Sequence, residues 1–201
     1  MLSHYKTRIG DLADPLARTL LRWRVRPNQL TLFGLFASVG TAIALARGRL
    51  RLAALFLVLA GLLDILDGSL ARCSDRVTPF GGFLDSVIDR YSDLAVLVGL
   101  LVYFLRLEAF DGIGLTLATL VGTIMVSYSR AKAESIGATC EVGLMERGER
   151  IIVLIIGALF HLLIPALWLL AILTNLTALQ RIYHTWRITK FGDRGPGFGA
   201  R

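Results

Sequence analysis

The chain has 201 residues, 55% of them hydrophobic and 18% charged, with a net charge of +7 and a mean hydropathy of +0.64. A soluble domain of this size carries about 45–50% apolar residues and about a quarter charged ones, and one small globule cannot shield the excess from water. The balance excludes a soluble enzyme and points to a membrane protein of one domain; in so apolar a chain the positive charge suits anionic headgroups and phosphate substrates, not nucleic acid.

Residues 2–24 are amphipathic. Leu2, Tyr5, Ile9, Leu12, Leu16, Leu20 and Trp23 recur at steps of three and four, with Lys6, Arg8, Asp11, Arg18 and Arg22 between them. This pattern predicts a helix lying in the membrane interface, so residues 1–26 form an interfacial segment. An h-region followed by a small-residue cleavage site is missing, so no cleaved leader is expected.

Pro27 suits the first turn of a new helix. Apolar runs of about the length that crosses a bilayer then predict spans at 28–47, 51–73, 80–105, 111–134, 147–163 and 166–187. The last two join at Pro165, and His161 is expected to pack inside the bundle. The glycine-rich residues 188–201 read as a disordered tail. The expected fold is therefore all-α and polytopic, a bundle of six transmembrane helices over residues 27–187 behind the interfacial helix.

Six spans put both termini on one side. Most arginines and lysines fall on that side, against Arg47, Arg49, Arg51 and Arg106 on the other. The positive-inside rule makes it the cytoplasmic face of a cell membrane. Cys73 and Cys140 fall there too and are expected to be free thiols.

Two spans carry carboxylates where an apolar helix should have none. Asp64 and Asp67 are three residues apart near the end of the second span, and Asp85 and Asp89 are four apart at the start of the third. Each pair shares a helix face, and the short connection makes the two helices antiparallel neighbours, with all four carboxylates at one level near the cytoplasmic surface. Four such charges in a low dielectric repel one another. Hard divalent cations relieve that repulsion, and an oxygen-only donor set favours Mg²⁺ or Mn²⁺ over zinc. Two ions per site would grip a pyrophosphate and stabilise attacking and leaving oxygens together. Gly68 and Ala71 leave room for a flat nucleotide, and Arg72 can pair with phosphate oxygens. A cation-coupled transporter would also place aspartates in a bundle, and a lipid-binding scaffold is a third, non-catalytic reading.

The run Asp64-x2-Asp67-Gly68-x2-Ala71-Arg72-x8-Gly81-x3-Asp85-x3-Asp89 resembles the full signature of the CDP-alcohol phosphotransferases in residue type and spacing. The six-span layout and amphipathic start resemble that family as well. The resemblance implies that Asp64, Asp67 and Asp85 ligate the metals. It implies that Asp89 contacts the second ion and is the general base toward the acceptor hydroxyl. Gly68, Ala71 and Arg72 would hold the cytidine diphosphate of a CDP-linked lipid, helped by Thr78 and by the Pro27-Asn28-x2-Thr31 corner. It also suggests a homodimer. Asp93, one turn beyond the signature, is expected to support a ligand from behind or to pack between helices.

The acceptor is read from the connection between the fourth and fifth spans and from the end of the sixth. Arg130, Lys132, Arg147, Arg150 and Arg181 exceed what a phosphate-free alcohol needs and suit a phosphorylated polyol. This region is similar to that of the phosphatidylinositol phosphate synthases and their archaeal-lipid counterparts, whose acceptor is inositol phosphate. Those enzymes tend to carry Lys then Arg where this chain has Arg130 then Lys132. A glycerol-phosphate acceptor and a CDP-inositol donor are the alternatives within the family.

Overall fold

The computed structural model describes residues 15, 16, 19, 21, 27–73 and 78–191. Among them are six helices and no strand: α1 (Pro27–Ala46), α2 (Leu50–Cys73), α3 (Pro79–Arg106), α4 (Phe110–Ser135), α5 (Arg147–Leu159) and α6 (Leu163–Phe191). The first four fall within a residue or so of the segments expected from hydropathy. Most of the predicted interfacial helix, and the tail beyond Phe191, lie outside the described residues. Within that first segment Pro15, Leu16, Thr19 and Leu21 are helical.

Three helices, α1, α4 and α6, are long and apolar enough to cross a membrane by length and composition. One face of α1 exposes Phe33, Phe36 and Ile43, the side chains a bilayer would cover. Its other face is small: Ala37, Ser38, Thr41 and Ala44 are buried. Small residues let helix backbones approach closely where lipid removes the hydrophobic drive for association.

The chain divides into two compact units, residues 1–103 and 104–201. In the first, α1 packs along α2, with Gly40 facing the Phe56 ring and Ala53, Ala54, Leu57 and Ala60 buried on the α2 side. The α3 backbone meets α1 at Gly99, where a Cβ would stand 2.5 Å from Ala42 Cα. At the far end of this unit Leu30 and Leu70 form a buried pair against which Leu21, Leu63, Leu66 and Cys73 pack. In the second unit α6 packs along α4 and against α5. Threonines rather than large apolar groups fill much of that seam, with Thr116, Thr119, Thr174 and Thr177 almost fully buried. All four return the hydroxyl to the carbonyl four residues back (Thr116 to Gly112, Thr119 to Leu115, Thr174 to Leu170 and Thr177 to Leu173), so the backbone satisfies them.

Four helices end in one way. After α1 the Gly48 N–H bonds Leu45 O and the Arg49 N–H bonds Ala44 O, with Gly48 at φ 72°. The same crossed closure follows α4 at Gly137 and α3 at Glu108. After α5 its longer bond is present, from Leu162 N to Gly157 O, with His161 at φ 59°. Each closure occupies terminal carbonyls that helix geometry leaves without partners.

The last closure corrects the sequence reading. The fifth helix stops at Leu159, not 163, and its 13 residues amount to about 20 Å of helix at 1.5 Å per residue. His161 lies exposed in the turn instead of packing inside. The sixth helix begins at Leu163 and takes Pro165 into its first turn, where no backbone donor is required. It runs on to Phe191, past the expected boundary at 187. Cys73 and Cys140 are free thiols.

Candidate active site

Near the end of α2, Leu70 anchors the helix in the core, and Asp64 and Asp67 stand on the same side one turn apart. Across the connection, α3 starts at Pro79 with Thr78 as its cap: the Gly81 N–H donates to Thr78 Oγ1 at 3.0 Å. That bond satisfies one of the first donors of the helix and fixes the register that places Asp85 a turn and a half in. One carboxylate oxygen from each of Asp64, Asp67 and Asp85 then falls within 4.8 Å of the other two. Asp67 is buried, and Asp64 and Asp85 are half-buried. Asp89, expected with them, lies half-buried one turn further along α3.

Thr31 joins this group from α1. Its hydroxyl donates to Asp67 Oδ2 at 3.1 Å, with Pro27 O at 3.3 Å as the weaker acceptor, and the side chain is 8% exposed. The sequence places Thr31 with the nucleotide-binding corner; in the structure its hydroxyl is turned to a carboxylate and holds one oxygen of Asp67 in place. Nothing in the local sequence signals this, because 36 residues separate the two.

The remaining donor-side residues are gathered at the same end of this unit. Asn28 is exposed on the first turn of α1 beside half-buried Pro27. A Cβ at Gly81 would be 3.0 Å from Thr78 Oγ1 and 3.6 Å from Asn28 Oδ1, so the missing side chain at Gly81 lets Asn28 and Thr78 flank one point. Arg72 is exposed and donates to Ser69 Oγ at 3.0 Å, which uses one of its five N–H groups. A Cβ on Gly68 would be 3.6 Å from the Arg72 guanidinium; with half-buried Ala71, Gly68 keeps the approach to that cation low.

An oxygen-only trio of this compactness fits a hard divalent cation. Three carboxylates within 4.8 Å turn several oxygens toward one point, and a hard cation accepts several oxygens at once.

In the second unit the five cations expected to bind the acceptor's phosphate have unlike settings. Arg130, near the end of α4, is exposed and ion-paired to Glu134 Oε1 at 2.8 Å. Such an exposed i, i+4 pair contributes little and yields readily to a phosphate. Lys132 is exposed on the same helix. Arg147 opens α5, half-buried, and Arg150 sits one turn in, 6% exposed. Arg181 on α6 is 3% exposed; its Nε donates to Val142 O at 2.8 Å and its Nη1 to Val126 O at 2.7 Å. Two of its five donors therefore serve the backbone, a structural duty the sequence reading did not foresee.

The family model for CDP-alcohol phosphatidyltransferases matches residues 24–186. The chain is similar to the archaetidylinositol phosphate synthase of Pyrococcus horikoshii, with 38% identity over 193 residues that cover 96% of this chain and 100% of that protein. It is similar to the phosphatidylinositol phosphate synthase of Mycobacterium tuberculosis, 37% identical over 204 residues and covering 94% of each. The fold is similar to the crystal structure of Mycobacterium tuberculosis phosphatidylinositol phosphate synthase with CDP-DAG bound, at TM-score 0.81 and 33% identity, covering 95% of this chain and 98% of that one. A second crystal structure, of the same synthase with manganese and citrate, matches at TM-score 0.80 and 34% identity over 94% and 92% of the two chains.

Proposed function

Because the chain belongs to the CDP-alcohol phosphatidyltransferase family, we propose that it moves a phosphatidyl-type group from a CDP-linked lipid to inositol phosphate, releasing CMP. The observation that carries this reading is the trio Asp64, Asp67 and Asp85, drawn within 4.8 Å from the two halves of the family signature. The two synthases differ in the lipid part of their names and share inositol phosphate, which supports that acceptor over glycerol phosphate and leaves the lipid tail open between diacylglycerol and archaeol. A transporter would need no such nucleotide signature.

Divalent cations, Mg²⁺ or Mn²⁺, supply charge neutralisation to the donor's pyrophosphate when bound. Asp64, Asp67 and Asp85 hold them, and Thr31 keeps the Asp67 oxygen directed. Gly68, Ala71 and Arg72, with Pro27, Asn28 and Thr78, seat the cytidine diphosphate. Asp89 takes the proton from the attacking hydroxyl of the acceptor. That oxygen forms a bond to the lipid-side phosphorus as the bond from this phosphorus to the bridging oxygen breaks, and CMP leaves with the bridging oxygen. Arg130, Lys132, Arg147, Arg150 and Arg181 bind the acceptor's own phosphate through charge-assisted hydrogen bonds. The protein lies in the membrane with six spans behind an interfacial N-terminal helix, and its termini and site face the cytoplasm; the excess of basic residues at that end supports the orientation.

The test is an acceptor screen. Purified protein with CDP-diacylglycerol and Mg²⁺ is offered inositol phosphate, inositol and glycerol phosphate, and products are read by mass alongside CMP. Inositol phosphate should give phosphatidylinositol phosphate. Faster turnover of free inositol or of glycerol phosphate would overturn the acceptor assignment.

A further inference from the structure

The connection between α4 and α5 is bonded down along its second half. Thr177, in the middle of α6 and fully buried, donates its hydroxyl to Leu173 O at 2.7 Å. The same oxygen accepts from Leu144 N at 3.2 Å and from Met145 N at 3.1 Å. A hydroxyl has one donor and two acceptor positions, and all three are in use. One turn along α6, Arg181 holds Val142 O. Between these contacts Gly143 sits at φ 150°, and a Cβ there would be 2.6 Å from Thr177 Cγ2 and 3.4 Å from Arg181 Nη2. The strap lies so close to α6 that only glycine passes.

The strap leads straight into the phosphate-binding arginines. Met145 is 3% exposed, Glu146 is the N-cap of α5 in an extended conformation, and the first backbone bond of the helix runs from Arg150 N to Glu146 O at 3.3 Å. Where Met145 stands therefore sets where Arg147 and Arg150 begin. The entry to α5 has no side-chain cap; the Thr177 hydroxyl instead fixes Leu144 and Met145, the two residues that lead into the Glu146 N-cap. A third arginine of the expected cluster, Arg181, touches the same strap.

We propose that Thr177 is a positioning residue for acceptor binding: by holding Leu144 and Met145 on α6 it sets the start of α5, and thereby the placement of Arg147 and Arg150 for the acceptor's phosphate. The proposal rests on the reading that these arginines bind that phosphate. Gly143 is its necessary companion, since any side chain there would push the strap off the hydroxyl.

The test is steady-state kinetics on Thr177→Val, Thr177→Ser, Gly143→Ala, Arg150→Ala and the Thr177→Val/Arg150→Ala double variant, each checked for a monodisperse peak and unfolding temperature. One saturation curve is taken against inositol phosphate and one against CDP-diacylglycerol. Thr177→Val should raise the acceptor KM about tenfold, the equivalent of ~1.4 kcal/mol, with donor KM and kcat within about twofold. Thr177→Ser keeps the hydroxyl and should behave as the parent. Gly143→Ala should reproduce the acceptor-specific rise without touching the hydroxyl, and so decides the matter if Thr177→Val does not fold. The double variant should be no worse than Arg150→Ala alone, because the threonine acts through the arginine. Equal loss toward both substrates, or full additivity in the double variant, would reduce Thr177 to a general packing role and overturn the proposal. An unchanged acceptor KM in Thr177→Val, beside a raised one in Arg150→Ala, would overturn the positioning role alone. An unchanged acceptor KM in Arg150→Ala would overturn the phosphate-binding reading on which it rests.

Discussion

Replacing Thr31 with valine isolates the contact between α1 and the carboxylate trio. The substitution keeps the side-chain shape of this buried residue and deletes one hydroxyl, whose best acceptor is Asp67 Oδ2 at 3.1 Å. A hydrogen bond to a charged group contributes about 1.5–3 kcal/mol, and removing a partner that orients a metal ligand typically lowers metal affinity about 10–100-fold. Asp67 is buried beside Asp64 and Asp85, so without the hydroxyl its carboxylate turns away from two like charges. CMP release measured against Mg²⁺ concentration should show half-saturation raised about tenfold or more, with turnover and donor KM recovering when Mg²⁺ is in excess. Thr31→Ser should retain parental Mg²⁺ dependence. The reasoning fails if Thr31→Val leaves Mg²⁺ half-saturation unchanged and instead raises the donor KM at saturating Mg²⁺; Thr31 would then bind the cytidine nucleotide directly, as its place in the Pro27 corner suggests.

Asp64→Asn, Asp67→Asn and Asp85→Asn should each abolish most CMP release, as should a chelator acting on the parent, because an amide is a poor ligand for a hard cation; robust turnover in any of the three at unchanged Mg²⁺ would contradict a metal role for the trio. Asp89→Asn, one turn beyond the trio, should lose turnover yet retain CDP-lipid in an equilibrium binding assay, and loss of both together would make Asp89 a metal ligand first. His161→Gly should stabilise the fold, since a left-handed residue with a side chain carries about 1–2 kcal/mol of strain against about 0.5–1 kcal/mol of extra chain entropy for glycine. The unfolding temperature in detergent should rise by about 2 °C, and a fall would show that the imidazole makes a contact worth more than the strain.

Much of the site could be read without a structure because its chemistry is local. Asp64 and Asp67, or Asp85 and Asp89, share a helix face by spacing alone, and Gly68, Ala71 and Arg72 follow within a turn or two. The hydropathy runs likewise outline α1 to α4 to within a residue or so. Where two closures compete, pattern fails: the apolar run continues past Leu159, and only the bond from Leu162 N back to Gly157 O ends α5 there and moves Pro165 into the first turn of α6.

By itself the sequence determined the class of protein, the helical segments α1 to α4 and the carboxylate signature, since composition, period and spacing act between neighbours along the chain. Only the tertiary structure brought Asp64, Asp67 and Asp85 within 4.8 Å of one another. It alone gave Thr31 to Asp67 across 36 residues and the Leu144 amide to Thr177 across 33, and it turned two donors of Arg181 to backbone carbonyls. Those assignments depend on which faces of distant helices meet. A buried hydroxyl or guanidinium must find its partners wherever packing brings an acceptor within about 3 Å, and no spacing along the chain records that distance.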